Sequence, residues 1–155
     1  MTIMDITAGK KAEQQISTAA KVFEAASEGI VITDADQRII TVNAAFSKIS
    51  GYSEKEVIGK TPHVISSNKH DKTFYKEMWQ SIDTEGEWQG EIWNKRKNGE
   101  VYPEWLSISR LANEKGDANG YIGIFSDITK LVEAQKTIQK QINFDSLTQL
   151  PNRQL

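Results

Sequence analysis

Residues 88–127 constrain the fold more than any other part of the chain. Three stretches there alternate polar and apolar residues: Trp88 to Arg96, Val101 to Leu111 and Gly120 to Ser126. Alternation of this kind is the mark of a strand with one face buried. Only short turns separate the three. Lys97-Asn98-Gly99-Glu100 contains Asn-Gly, the strongest short-range hairpin signal, and Asn113-Glu114-Lys115-Gly116-Asp117 forms the second turn. Connections this short join antiparallel neighbours. The period puts Trp88, Ile92 and Asn94 on one face, and Glu104, Leu106 and Ile108 on one face of the next strand. Trp93 and Trp105 fall on the opposite phase and are expected on the outer face.

Two more strands precede these. Gly29-Ile30-Val31-Ile32-Thr33-Asp34 and Arg38-Ile39-Ile40-Thr41-Val42 are β-branched runs joined by an Ala35-Asp36-Gln37 turn, and they read as a hairpin. Asn43 caps a helix over Ala44 to Ile49, which Gly51 ends. Ser53 and Glu56 form a capping box for a second short helix with Gly59 as its stop. Residues 60–70 carry no period and read as a loop around one helical turn. Asp71 then caps a helix whose apolar face is Phe74, Tyr75, Met78, Trp79 and Ile82, closed by Gly86. The predicted class is α+β: a five-stranded antiparallel sheet with short helices on one face.

Amphipathic helices flank this core. Residues 1–26 carry a stripe at Ala12, Ile16, Ala19 and Phe23; residues 129–143 carry one at Leu131, Ala134, Ile138 and Ile142. Such stripes want a partner, either the domain itself or a second subunit. Each is too short to form a convincing coiled coil alone. A homodimer through the flanking helices and a sheet face is therefore expected.

Composition narrows the chemistry. The 155 residues carry a formal net charge of −2, unlike the strong basic balance of a duplex-binding protein, so no nucleic-acid partner is expected. With no Cys, disulfides, thiolate metal sites and a Cys nucleophile are excluded, and two His make an imidazole metal site poor. Apolar runs are too short to span a membrane and no signal peptide opens the chain. The chain reads as a cytoplasmic module without direct membrane contact.

The order of elements, together with particular residues, resembles a family. Gly51-Tyr52 followed by Val57-Ile58-Gly59-Lys60, the Lys97-Asn98-Gly99 turn and the Asp127-Ile128-Thr129 ending are similar to the PAS sensory domain of bacterial signalling proteins. His70-Asp71 through Trp79, Gly86-Glu87-Trp88-Gln89-Gly90-Glu91-Ile92-Trp93-Asn94 and Tyr102-Pro103-Glu104-Trp105 resemble the subgroup of flavin-binding redox sensors. Phe144-Asp145-Ser146-Leu147-Thr148-Gln149-Leu150-Pro151-Asn152-Arg153 is similar to the opening of a GGDEF domain, the diguanylate cyclase module. The resemblance implies four segments: an entry helix over 1–26, a PAS domain over 27–128, an exit helix over 129–143 and the start of an output domain over 144–155. Any cyclase signature would lie beyond residue 155, so no catalysis is expected within these residues.

The resemblance also implies a ligand, FAD, between the inner sheet face and the short helices. Asn94 matches a position where flavin-binding relatives set an Asn against the ring edge, and an amide offers both donor and acceptor there. The other reading is a strand residue that caps backbone. Trp88 and Ile92 share that face; Trp88 either packs on the ring or plugs the core. Glu104 points into the same space, where it responds to the protonation of reduced flavin or pairs with Lys95 or Arg96. Asn43 is a helix cap with a lesser claim on a ligand. Phe125 stands where light-sensing relatives carry a Gln, and Pro62 about where they carry the adduct-forming Cys, so photoadduct chemistry is excluded. Haem would need His63 or His70, and His70 beside Asp71 reads more simply as a surface or capping residue. A small metabolite, or no ligand at all, stays open beside FAD. Asp127 and Thr129 are expected to couple the last strand to the exit helix.

Overall fold

A computed structural model describes the backbone of residues 3–154 and the side chains of residues 9–143. The chain runs α1 (Ile3–Ala25), β1 (Gly29–Asp34), β2 (Ile39–Val42), α2 (Ala44–Ser50), α3 (Glu54–Val57), a 3-10 turn (Pro62–Ile65), α4 (Lys72–Glu85), β3 (Glu87–Lys95), β4 (Val101–Ala112), β5 (Ala118–Asp127) and α5 (Thr129–Gln154). The strands form one antiparallel sheet in the order β2-β1-β5-β4-β3. This is the expected α+β class, with the strand bounds shifted by one or two residues. The reading of residues 144–155 as the opening of a second domain falls on side chains outside those described; the backbone of α5 runs to Gln154.

Local chemistry explains the elements. Asn43 and Asp71 cap α2 and α4 by accepting from Phe46 and Phe74 N–H, and Gly51 and Gly86 close these helices in the left-handed region at φ 82°. Ser53 and Glu56 form the reciprocal capping box of α3. That helix ends at Val57, with Ile58 rather than Gly59 as its cap residue. Asp34 turns the first hairpin by accepting from the backbone N–H groups of Asp36 and Arg38 at 2.9 and 3.0 Å.

The core lies between β1, β2 and β5 and the helical layer. Val31, Ile39, Val42, Phe46, Val57, Ile65 and Phe125 form its buried cluster. Phe46 meets Phe125 edge-on at 5.8 Å. Gly29 is required by that ring: a Cβ there would lie 2.3 Å from Phe125. Phe125 is 1% exposed within this cluster.

Asn43 holds three elements together. Its Oδ1 accepts from Ile30 N–H at 2.8 Å and Phe46 N–H at 3.0 Å, and its Nδ2 donates to the carbonyls of Phe23 at 2.9 Å and Glu28 at 3.0 Å. It is 1% exposed. Both donor hydrogens and both lone pairs are taken within the chain, and the side chain is the α2 cap that the sequence predicts. Asn43→Ala would orphan four backbone groups. It is expected to destabilise the domain by about 2–4 kcal/mol, measured by urea unfolding. A loss within error would mean that the four bonds are replaceable by water.

Candidate functional site

The alternation of β3 and β4 brings a polar group onto the inner face. Ile92 and Asn94 of β3, and Tyr102 and Glu104 of β4, are all buried. Asn94 Nδ2 donates to Glu104 Oε1 at 2.6 Å, and the Tyr102 hydroxyl donates to Glu104 Oε2 at 2.7 Å. Two donors satisfy a carboxyl that is 1% exposed. They do not fully offset its removal from water: burial raises Glu104, the bonds from Tyr102 and Asn94 pull it back, Asp127 raises it and Arg96 lowers it, and the balance leaves it at about 7. Burial and the same carboxyl raise the Tyr102 hydroxyl, which stays a neutral donor.

Arg96, one residue past β3, links this group to the exit helix. Its guanidinium carbon lies 3.8 Å from the centre of the Tyr102 ring. Nη1 donates to the carbonyl of Ile49 at 2.8 Å, and Nη2 to Asp127 Oδ2 at 2.7 Å. Nε sits 3.3 Å from Glu100 across the hairpin turn. Asp127 Oδ1 in turn accepts from Thr129 N–H at 2.9 Å and from the Thr129 hydroxyl. Partial burial works against it, but the bonds from Thr129 and Arg96 hold the Asp127 carboxyl below its ordinary value. Asp127 lies directly opposite Glu104 in the β4–β5 register. A cross-strand pair of acids repels if both ionise, so Arg96 and the raised Glu104 together make the arrangement tolerable.

The sequence expectations divide here. Asn94, Ile92 and Glu104 share the inner wall, and Asp127 with Thr129 forms the joint at the start of α5. The expected pairing of Glu104 with Lys95 or Arg96 is replaced: Arg96 turns its charge to Asp127 and Glu100, and Glu104 takes neutral partners. Trp88 is half-buried, edge-on to Phe74 at 5.9 Å, with its ring over the position a side chain on Gly90 would occupy. Trp105 is 47% exposed on the outer face, as its phase predicts. In the sequence Tyr102 enters only within a motif and Arg96 only as a possible partner of Glu104, not as links to Asp127. Tyr102 has the same parity as Glu104 and was findable; Arg96 has one near partner, Glu100, but Ile49 and Asp127 are too distant in sequence for any local signal to show them.

The wall has a closed end and a half-open end. Trp88, Gly90, Leu106 and Ile108, on the same face as Asn94 and Glu104, are only half-buried. Among the described residues Asn94 Oδ1 accepts no hydrogen bond, while no fully enclosed side-chain nitrogen or oxygen lacks a partner. The free acceptor is therefore one that solvent or a ligand reaches. The wall thus sets an apolar stretch next to an amide acceptor and a protonatable carboxyl. Two surface clefts of about 570 and 510 Å³ lie elsewhere, one along α1 and one beside the wall's Arg96 end, around Lys48, Gly51 and Arg96. Among the described residues no group of three His, Asp or Glu side chains is placed to hold a metal, and no helix is long and apolar enough to cross a membrane. His70 Nε2 accepts from a backbone N–H rather than facing the inner wall as a haem ligand would.

Comparison with known proteins agrees with this architecture. The profile of the PAS domain family matches residues 27–130. A nitrogen fixation regulatory protein of Klebsiella oxytoca is 29% identical over 127 residues, covering 82% of this chain and 26% of that protein. A blue-light photoreceptor of Listeria innocua is 29% identical over 125 residues, covering 79% of this chain and 49% of that protein. The chain thus spans between a quarter and a half of these relatives' lengths. The crystal structure of the PAS domain of a protein from Colwellia psychrerythraea superimposes with a TM-score of 0.70 at 27% identity, over 74% of this chain and 98% of that one.

The buried carboxyl makes stability depend on pH. Folded Glu104 titrates near 7 against an ordinary value of 4.5. Between those values the folded state holds a proton that the unfolded state has released, so stability falls as pH rises through that window. The full effect is at most roughly 3 kcal/mol. Glu104→Gln keeps the shape and removes the titration. Its unfolding free energy is expected to stay flat relative to the parent between about pH 5 and about pH 8; parallel profiles for the two proteins would show that the carboxyl is not the source.

Proposed function

This chain belongs to the PAS domain family, and from that premise we propose that it is a sensing module whose inner wall binds FAD and whose exit helix controls a diguanylate cyclase. The observation that carries the proposal is the unbroken run of contacts from Asn94 and Glu104, through Tyr102 and Arg96, to Asp127 and Thr129 at the first residue of α5. A change at the inner wall has a defined physical route to the helix that leaves the domain.

Asn94 would take the polar edge of the flavin with its free carbonyl, and Trp88, Gly90, Leu106 and Ile108 would meet the flat body. FAD supplies an electron store whose redox change alters the hydrogen-bond demand at that edge. The residues of the chain do the rest. Glu104, with a proton affinity poised near neutrality, gains or loses its proton as that demand changes. Tyr102 holds its second oxygen, and Arg96, over the Tyr102 ring, sets the strength with which Asp127 caps α5.

Coupling of this kind requires two output domains whose meeting the helix controls. Ile16 and Val22 of α1 and Leu131, Ile138 and Ile142 of α5 are exposed apolar side chains, which supports a homodimer through the flanking helices. The GGDEF reading rests on the similarity of residues 144–153 to the opening of that domain. A second reading, a PAS module that only pairs and presents its output, is favoured by the fact that Asn94, Glu104 and Tyr102 already satisfy most of one another's hydrogen bonds.

Purified protein incubated with FAD and desalted is expected to retain the flavin absorbance, and Asn94→Ala to lose most of it. A colourless protein after FAD addition would favour the second reading. In the full-length parent, cyclic di-GMP formation is expected to lose its dependence on flavin oxidation state in Asp127→Ala while flavin retention is unchanged; absence of cyclase activity in any state would reject the output assignment. Ile138→Glu is expected to shift the mass measured by light scattering from dimer towards monomer, and an unchanged mass would dispose of the exit-helix interface.

A further inference from the structure

We propose that residues 66–70 are a strap closed over the free edge of β3 by neutral His70 and released by acid. β3 is the last strand of the sheet, and an edge strand presents unpaired backbone groups unless something covers them. Trp93 and Pro103 are a non-hydrogen-bonded pair of the ladder: the Pro103 carbonyl turns the other way, to Ile128 N–H just past β5, and the backbone groups of Trp93 point to the free edge. The strap takes them there. Ser67 Oγ donates to the Trp93 carbonyl at 2.6 Å, and Trp93 N–H donates to His70 Nε2 at 2.9 Å. Ser66 forms an antiparallel bridge with Asn94, and its hydroxyl lies 3.4 Å from that of Tyr75. Lys69 Nζ lies 3.7 Å over the Trp93 ring, and the His70 ring stacks on Phe74 at 4.0 Å.

The bond from Trp93 fixes the state of the imidazole. A nitrogen that accepts from an amide needs its lone pair, and an imidazolium has none. Protonation therefore sets one N–H against another and opens the contact. It also places a second positive charge beside Lys69. The charged and titratable groups around His70 are Lys69 and Asp71 on its own segment, Glu91 on β3 and Tyr75 on α4. Partial burial and Lys69 hold the imidazole below its ordinary value of 6.5, against Asp71 and Glu91, which work the other way. The strap is thus fully closed above that ordinary value and opens as pH falls through the lower folded value. Opening frees the Ser66 contact with Asn94 and uncovers the β3 edge next to the inner wall. The inference stands whether or not FAD binds.

His63→Gln leaves one imidazole to follow by NMR. In that protein His70 is expected to titrate below its ordinary value, and the Trp93 amide proton to move upfield with the same midpoint. Amide exchange at Trp93, corrected for intrinsic rate, is expected to be protected at about pH 8 and to lose protection several-fold at about pH 5. His70→Phe keeps the stack on Phe74 without an acceptor, so its Trp93 amide should be weakly protected at both values. Titration of His70 with no response at Trp93, or full protection of Trp93 in His70→Phe, would overturn the strap.

Discussion

The guanidinium of Arg96 is the point on which this architecture turns. It leaves the end of β3, lies over the Tyr102 ring of β4, holds the last carbonyl region of α2 through Ile49 and pairs with Asp127 at the end of β5. Its planar fork reaches several partners at once, which an ammonium would not do with the same geometry. A partly buried ion pair of this kind gains Coulomb energy but loses much of it to desolvation. Its weight is positional. It sets where Asp127 sits, and Asp127 sets the first turn of α5 through Thr129.

Glu104 gives that arrangement something to respond to. A buried carboxyl with two neutral donors is satisfied in its hydrogen bonds and still disfavoured as a charge. It sits opposite Asp127, so its ionisation is felt at the acid that caps the exit helix. The fold thereby joins a group whose proton is loosely held to the one helix that leaves the sheet. That is the physical content of a sensory module: a small change of charge or hydrogen bonding at the wall, and a rigid element at the far end of the same contacts.

The helical side is held separately. Asn43 locks α1, β1 and α2 with four hydrogen bonds, and Phe125 fills the space that Gly29 leaves. That end of the core is dense. At the other end α4 buries Met78 and Ile82, while Trp88, Leu106 and Ile108 are half-buried and the strap at residues 66–70 runs along the margin.

Much of the fold was legible in the sequence because its signals are local. Alternation placed Trp88, Ile92, Asn94 and Glu104 on the inner face and Trp105 on the outer one. Asn43, Ser53, Glu56, Asp71, Gly51 and Gly86 marked helix ends by chemistry that acts within four residues, and Asn98-Gly99 marked the hairpin. The same locality set the limits. Alternation says which way Glu104 points but not what it meets, and its partners proved to be Asn94 and Tyr102 rather than a basic residue. Arg96 reaches Asp127 across 31 positions and Ile49 across 47, and Trp93 reaches His70 across 23. Contacts between residues so far apart exist only once the sheet and the helical layer have packed, so the tertiary structure alone decided the route from the wall to the exit helix.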